Sequence, residues 1–299
     1  MTRRPVYYQS RKRMPELPEV ETIASDLDKA LRGKEIASFI LVDNSKILHT
    51  PAALFKKSVI GKKIKKIYRR AKMVVIDLGR QVIVIHLKMT GQLIYTSEKH
   101  IIAGGHPIVS TGVQVPNAYT RLIFSFKKGG ELYFNDLRKF GWVKLLTADD
   151  FILLASKVGI EPLSKDFTLA YFRKIIARRG RAPIKAALLD QKHVAGLGNI
   201  YVDEVLFRAG VRPSRRTESL DDKEIKRIYE AIRSILRLAI EERGTTFKNF
   251  LDPAGLRGNF VPFLKVYGRG GKACKKCGRP LRKTRVAGRG THWCEYCQH

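Results

Sequence analysis

The spacing of the four cysteines constrains the fold of this chain more than any other feature. All four lie within the last 26 residues, as Cys274-x2-Cys277, sixteen further residues, and Cys294-x2-Cys297. This spacing is typical of a closed, tetrahedral zinc site with four thiolate ligands. Two redox-active CxxC pairs are the alternative, but such pairs normally sit in a βαβ context, which this segment lacks. We therefore predict one structural Zn²⁺ in a small C-terminal module.

The segment between the two cysteine pairs is strongly basic. It contains five cationic side chains, namely Arg279, Arg282, Lys283, Arg285 and Arg289. Such a hairpin is typical of modules that insert into or along a DNA groove, although the same charge could simply keep a small module in solution. The clustering of charge on so short a segment favours DNA.

The whole chain shares this excess of positive charge. Its 299 residues carry 58 Lys and Arg against 27 Asp and Glu, which gives a net charge of +31 and a pI near 10.2. A polyanion is the expected partner, with nucleic acid as the first candidate and an anionic membrane surface as the second. No apolar run is long enough to span a bilayer, and the start lacks a signal-peptide apolar region. We expect a cytoplasmic protein without a membrane partner.

Hydrophobic periodicity then separates a β-rich half from a helical half. Residues 1–13 form a basic tail without apolar periodicity, and Val20–Leu31 has helical spacing with Gly33 as its stop. From Ile36 the period becomes two, and Gly-rich turns between short segments suggest a β-sandwich. Glu98–Asn117 is predicted to be a long loop because glycines and prolines interrupt it. The predicted strands are Ile36–Val42, Lys62–Arg69, Met73–Leu78, Val82–Met89, Arg121–Phe126, Glu131–Asn135 and Trp142–Leu146.

After Asp149 the pattern becomes helical. The predicted helices run from Asp166 or Thr168 to Arg178, over Ala182–Gln191, over Gly198–Ala209, and from Ser219–Asp222 to Gly244. These elements predict an α+β protein. Its predicted parts are an N-terminal β-sandwich with a leading helix (14–148), a linker (149–165), a helical domain (166–262) and a zinc-finger hairpin (263–299).

The stretch Met14–Thr22, Met-Pro-Glu-Leu-Pro-Glu-Val-Glu-Thr, is the candidate catalytic segment. Removal of Met14 by an aminopeptidase would leave Pro15 with a free secondary amine, which can attack an aldehyde-like carbon and form an iminium. Glu16 and Glu19 lie within one helical turn, where proton transfer to and from a sugar would be needed. A helix N-terminus that merely carries favourable acidic residues explains the same pattern.

Three further segments are candidate binding sites. Gly196-Leu197-Gly198-Asn199 is a turn entering a helix, and its exposed N–H groups can hold a phosphate with Asn199 as an extra donor. Lys72 precedes a strand, and the segment beginning at His86 follows one; for each, a solvated strand end is the ordinary interpretation. Asp136–Gly141 contains an arginine and a phenylalanine, which could bond a widowed base and wedge between base pairs. A core phenylalanine beside a surface arginine is the commoner case.

Together these segments resemble the bacterial formamidopyrimidine-DNA glycosylases, also called 8-oxoguanine-DNA glycosylases. Pro-Glu-Leu-Pro-Glu-Val-Glu-Thr resembles their amino terminus, His86-Leu87-Lys88-Met89 their His-Leu-x-Met motif, and Gly196–Tyr201 their helix–two-turns–helix element. Six separated motifs occur in the family's order between Pro15 and Cys297. The amino-terminal motif favours this branch over the related endonuclease VIII branch.

The resemblance implies a role for each matched residue. Pro15 would be the nucleophile, Glu16 would exchange protons with the sugar ring oxygen, and Lys72 and Arg289 would handle protons or phosphates. The DNA-binding residues that it implies are His86, Met89, Tyr119, Arg138, Phe140, Arg181 and Asn199. Within this set Lys72 and His86 would grip phosphates, while Met89, Arg138 and Phe140 would fill the space left by an extruded nucleotide. Tyr119 departs from the family, since many members have a histidine near this position.

The implied activity is excision of oxidised purines from duplex DNA through a Pro15 Schiff base, followed by β- and δ-elimination, by a monomer with one structural zinc. Residues 1–13 depart from the family, in which the proline follows the initiator methionine, and their retention would bury the amine in a peptide bond. A non-catalytic DNA-binding protein is therefore one alternative, and a glycosylase for oxidised pyrimidines is another. We expect the active form to begin at Pro15 and a lesion-recognition loop over Thr245–Phe263.

Overall fold

The structure is a computed structural model that describes residues 14–43, 46–98, 101–105, 114–245 and 259–299. The basic tail over residues 1–13 and most of the predicted recognition loop Thr245–Phe263 lie outside the described residues.

Two antiparallel sheets form the N-terminal part of the molecule, as the alternating pattern predicted. The five-stranded sheet has the order β1-β7-β8-β5-β6 and the four-stranded sheet the order β2-β3-β4-β9. One buried cluster joins apolar residues from both sheets, among them Phe39, Ile85, Phe124 and Phe134. The strands are β1 (Ile36–Leu41), β2 (Lys66–Arg70), β3 (Met73–Asp77), β4 (Gln81–His86), β5 (Gly91–Thr96), β6 (Ile101–Gly105), β7 (Thr120–Phe126), β8 (Glu131–Asp136) and β9 (Trp142–Thr147).

The leading helix, α1 (Leu17–Leu31), connects the two halves of the molecule. Its apolar stripe, with Val20, Ile23 and Leu27, packs into the core of the sandwich. Leu17, by contrast, belongs to the core of the helical part. The N-terminus of α1 therefore lies at the junction between the two cores.

Four sequence predictions in this part are corrected. The predicted loop Glu98–Asn117 contains β6, which pairs with β5; neither strand was predicted, nor was α2 (Ala52–Val59). The two glycines of β6 are required by packing, because a Cβ on Gly104 would lie 2.3 Å from the Ile23 side chain. The predicted strand Val82–Met89 ends at His86, since Lys88 has a φ of 51° and the chain turns there.

The helical part contains α4 (Leu169–Arg179), α5 (Ile184–Leu189), α6 (Asn199–Ala209) and α7 (Asp222–Glu241). Thr168 caps α4 by accepting the N–H of Tyr171, and Asp221 and Glu224 form a capping box at the start of α7. A further helix, α3 (Ala148–Ser156), occupies the start of the predicted linker and packs against β9. The domain boundaries stay a prediction.

The C-terminal module is a hairpin of β10 (Arg282–Val286) and β11 (Arg289–Trp293). Its small cluster of Val266, Leu281, Cys274 and Cys294 packs against Phe207 of α6. Among the described residues, none of the helices is both long and apolar enough to cross a bilayer.

Candidate active site and nucleic-acid interface

The predicted catalytic residues converge where α1, α6 and the C-terminal hairpin meet. Pro15 and Glu16 immediately precede α1, and both are buried. The N–H of Leu17 donates to the carbonyl of Gly196 at 3.0 Å, which fixes the start of α1 against the glycine turn that opens α6.

The Glu16 carboxylate occupies the N-terminus of α6. It accepts the N–H of Ile200 at 3.0 Å and that of Tyr201 at 3.4 Å, where the helix dipole favours an anion. A Cβ on Gly198 would lie 2.2 Å from the Glu16 Cδ, so only glycine lets the carboxylate come this close. The sequence analysis expected these amides to hold a phosphate. That interpretation is corrected, because an anion from the same chain already binds them.

Burial raises the pKa of Glu16 to about 7, and the nearby Glu19 carboxylate raises it further, while Lys72 and the two backbone N–H groups oppose the shift. A carboxyl group with this pKa gains or loses its proton near neutral pH. It therefore suits both directions of proton transfer.

Glu19, whose side chain is 1 % exposed, is more central than the sequence indicated. One of its carboxylate oxygens accepts the Tyr201 hydroxyl at 2.6 Å and the N–H of Thr245 at 2.9 Å; the other accepts the N–H of Glu16 at 3.0 Å. Glu19 thus ties together α1, α6 and the end of the α7 segment.

Lys72 lies in the same buried junction. Its Nζ donates to the carbonyl of Leu197 at 2.8 Å, and the side chain is 6 % exposed. Burial lowers the pKa of Lys72 despite the attraction of Glu16 and Glu19, and the positive charge of Arg289 lowers it further. A lysine with a lowered pKa releases its proton more readily than an exposed one.

Arg289 is exposed at the start of β11, and the residue after it anchors the hairpin. The carbonyl of Gly290 accepts the Asn199 Nδ2 at 2.8 Å and the Lys185 Nζ at 3.1 Å. Lys185 also forms a fully buried ion pair with Asp203 at 2.6 Å. Sequence reasoning missed this pair. Its available signal was a charged residue, Asp203, among the apolar positions of the predicted helix.

Two turns that carry predicted DNA-binding residues lie side by side at one end of the sandwich. The register pairs Gly91 with Asp136 and His86 with Trp142, which brings the β4–β5 turn next to the β8–β9 turn. The first turn, residues 87–90, carries the half-buried Met89, and the second, residues 137–141, carries Arg138 and Phe140.

Arg138 and Phe140 face solvent. The Phe140 side chain is 53 % exposed, and the Arg138 guanidinium lies 4.4 Å from the centre of its ring. The alternative of a core phenylalanine is therefore wrong. An exposed aromatic ring stacked on a guanidinium is instead suited to contacts with bases.

The other predicted DNA-binding residues surround these turns. The His86 Nδ1 accepts the N–H of Lys88 at 3.0 Å, and burial lowers the pKa of His86 to about 3. His86 is therefore neutral, with its proton on Nε2. Tyr119 is half-buried and its carbonyl accepts the N–H of Asp136 at 2.9 Å, whereas Arg181 is exposed between α4 and α5. Their roles on DNA stay predictions.

The four cysteines form a site for one zinc ion. Their Sγ atoms all lie within 4.8 Å of one another, with 4.0 Å between Cys274 and Cys297 and 3.5 Å between Cys277 and Cys294. Thiolates at about 2.3 Å from a tetrahedral zinc ion would be about 3.8 Å apart. The observed separations fit this geometry.

Three sequence models of known domains match the chain. They are described as the formamidopyrimidine-DNA glycosylase N-terminal domain (residues 14–143), the formamidopyrimidine-DNA glycosylase H2TH domain (residues 158–250) and the zinc finger found in FPG and IleRS (residues 271–299).

Curated relatives and solved structures agree with these matches. The formamidopyrimidine-DNA glycosylase of Pelotomaculum thermopropionicum is 41% identical over 289 residues, which cover 95% of this chain and 99% of the relative. That of Listeria monocytogenes serotype 4b is 39% identical over 287 residues, with 95% and 100% covered. A solved complex of Lactococcus lactis Fpg with DNA containing an abasic site has a TM-score of 0.82 at 34% identity, with 95% and 99% covered.

A β-sandwich, an H2TH helical domain and a zinc finger around a buried carboxylate define the class of the zinc-finger DNA glycosylases. Within that class, the chain belongs to the formamidopyrimidine-DNA glycosylase family. The fold class predicted from the sequence and the zinc site are confirmed.

Proposed function

We propose that this protein is a bifunctional DNA glycosylase and AP lyase that removes oxidised purines, such as 8-oxoguanine and formamidopyrimidines, from duplex DNA in base excision repair. Family membership supports glycosylase activity and the preference for oxidised purines. The observation that carries the proposal is the Glu16 carboxyl group, buried next to Pro15 with a pKa raised to about 7. We also place the protein in the cytoplasm, where its net charge of +31 draws it to the nucleoid.

The first chemical step displaces the damaged base. The Pro15 amine, with an unperturbed pKa of about 7.7–8.0, attacks C1′ of the sugar in its neutral form, and the base leaves with the electron pair of its bond to C1′. Glu16 donates a proton to the ring oxygen as the sugar opens. The amine loses its own proton, and the product is an iminium between Pro15 and C1′.

The second step breaks the DNA backbone. The iminium acidifies the C2′ protons, and loss of one of them expels the phosphate on the 3′ side; a second elimination expels the phosphate on the 5′ side. Lys72 lies close enough to Glu16 and Arg289 for their charges to act on it, so it suits proton transfer here. Arg289 binds the departing phosphate, and water finally hydrolyses the imine to release Pro15.

Access to C1′ requires that the damaged nucleotide be extruded from the duplex. Phe140 wedges into the stack, Arg138 bonds the base left behind, and Met89 fills the remaining space. Neutral His86 donates its Nε2 proton to a phosphate. Zinc, held by the four cysteines, stabilises the hairpin that presents Arg289.

The proposal is tested on labelled duplexes that carry either 8-oxoguanine or an oxidised pyrimidine, using the chain that begins at Met14. We expect the 8-oxoguanine strand to be cut to a one-nucleotide gap with phosphate at both ends. Glu16→Gln should abolish base release, while Glu218→Gln, an exposed glutamate in the helical part, should not. Preferential cleavage of the pyrimidine lesion would replace the substrate, and tight binding without cleavage would replace the enzyme with a binding protein.

A further inference from the structure

The Asp136 carboxylate links the two DNA-facing turns. It is fully buried at the end of β8. One oxygen accepts the Thr90 hydroxyl and, at 3.1 Å, the N–H of Arg138. The other accepts the N–H of Gly141 at 2.7 Å. Thr90 belongs to the turn of Met89, whereas Arg138 and Gly141 bracket the turn of Phe140, so one side chain holds both turns.

Thr90 closes the link from the other side. Its side chain is buried, and its hydroxyl oxygen accepts the N–H of Arg138 at 3.0 Å while its proton goes to Asp136. The N–H of Arg138 is therefore shared between a residue of each turn. The position of the Arg138 backbone is consequently set by the first turn as well as by its own.

A second set of contacts supports the outer side of the Phe140 turn. The Arg121 Nε donates to the carbonyl of Asp136 at 3.0 Å, and its guanidinium pairs with Asp43 at 2.8 Å. Lys139, inside the turn, pairs with the same Asp43 carboxylate at 2.9 Å. The turn is thus held at both of its ends and in its middle.

Both turns contain a strained residue that needs such support. Lys88 and Lys139 have φ values of 51° and 56°, in the left-handed region that side chains other than glycine disfavour. Strain of this kind persists only where surrounding contacts over-determine the backbone. Around Lys139 those contacts are the bonds to Asp136 and the ion pair with Asp43.

We propose that Asp136 is a positioning residue that locks the Met89 turn and the Arg138–Phe140 turn into one rigid wedge, with Arg121, Asp43 and Lys139 bracing its outer side. This inference rests on the proposed function, since it assumes that the wedge extrudes the damaged nucleotide. Asp136 itself touches neither base nor sugar. Its effect on catalysis passes through the side chains that enter the duplex.

The test compares Asp136→Asn with the parent chain on two substrates. Asparagine replaces one acceptor oxygen with an amide that faces N–H or O–H donors, so the two turns separate. We expect excision of 8-oxoguanine to fall about tenfold or more, the effect typical of an unpaired buried donor. Cleavage at a preformed abasic site, where no base pair needs opening, should fall much less. Equal losses on the two substrates would overturn the proposal.

A double-mutant cycle separates positioning from general damage to the fold. In the background Arg138→Ala/Phe140→Ala, adding Asp136→Asn should cause little further loss, because residues that act as one unit are not additive. Fully additive losses would contradict the wedge. Asp28→Asn is the matched control, since Asp28 accepts the N–H of Ile67 at 2.7 Å in another part of the sandwich.

Thr90 provides the test if Asp136→Asn does not fold. Thr90→Ser keeps the hydroxyl and should cut 8-oxoguanine DNA nearly as the parent does, whereas Thr90→Val loses both hydrogen bonds and should show the selective loss. Equal activity of the two variants would overturn the inference. Failure of the parent chain to cut either substrate would instead refute the proposed function.

Discussion

At the scale of single residues, the proton of Glu16 is controlled by its position between the two cores. Burial and Glu19 favour the neutral carboxylic acid, while Lys72 and the α6 N-terminus favour the carboxylate. The balance leaves a pKa of about 7, where a small change of pH decides which form is present.

This pKa predicts the pH dependence of base release. Because the folded-state pKa is raised to about 7, Glu16 holds its proton below that pH and loses it above. If Glu16 is the acid that protonates the sugar oxygen, kcat/KM for 8-oxoguanine release should fall as pH rises through about 7. Single-turnover rates between pH 5.5 and 9 measure this, with the Pro15 amine supplying the opposite limb. A descending limb that persists unchanged in Glu16→Gln would assign it to another group.

His86 gives a second prediction at this scale. Since its pKa is lowered to about 3, it binds DNA as a neutral donor and releases no counterion. His86→Gln should weaken binding by roughly 0.5–1.5 kcal/mol, the net value of one hydrogen bond. The slope of log K against log[salt] should not change, whereas each cation that contacts a phosphate contributes about −0.9 to it. A slope that shrinks by about one unit would mean that His86 is charged on DNA; Lys72→Met is the comparison.

At the scale of elements, the sequence predicted the helices well because their caps and apolar stripes are local. Asp221 with Glu224, and Thr168 before α4, mark helix starts that the structure has within one or two residues. β6 was missed because Gly104 and Gly105 usually indicate a loop. Here they are required by α1, which packs too closely for a side chain. Such a requirement comes from a neighbour distant in sequence.

The site shows the same division. Pro15, Glu16 and the cysteines were predicted because motif and spacing are local properties of the chain. The partner of the α6 amides was not, because nothing in a Gly-x-Gly-Asn turn tells which anion reaches it. Likewise Asp136 was assigned only to a motif, and its bonds to Thr90 and Gly141 depend on strand register.

The zinc-finger hairpin gives the prediction for this scale. Cys294→Ala should abolish binding of one zinc per chain and release the hairpin, because its small core is built around the cysteines. Zinc content by atomic absorption and DNA cleavage should both be lost, while helical circular dichroism should be nearly unchanged, since α4–α7 have their own core. Thr284→Ala, in the same hairpin, is the control. Full activity of metal-free protein would contradict the role given to the hairpin.

At the scale of the whole molecule, charged contacts hold the sandwich and the helical part together around the catalytic residues. Arg69 bonds both Glu21 of α1 and Glu161, and Arg243 after α7 pairs with Asp26. With Glu19 bonded to Tyr201 and Thr245, they fix α1 relative to α6 and α7. The position of Pro15 is therefore a property of the assembled molecule.

The central claim is that the secondary amine of Pro15 forms the covalent intermediate, and borohydride trapping on 8-oxoguanine DNA tests it most directly. Two proteins are compared, one beginning at Met14 and trimmed to Pro15, the other retaining residues 1–13 with its intact mass verified. We predict an adduct with the first only, and peptide mass mapping should place the reduced sugar on Pro15. An adduct from the intact longer chain, or a sugar attached to Lys72, would contradict the account.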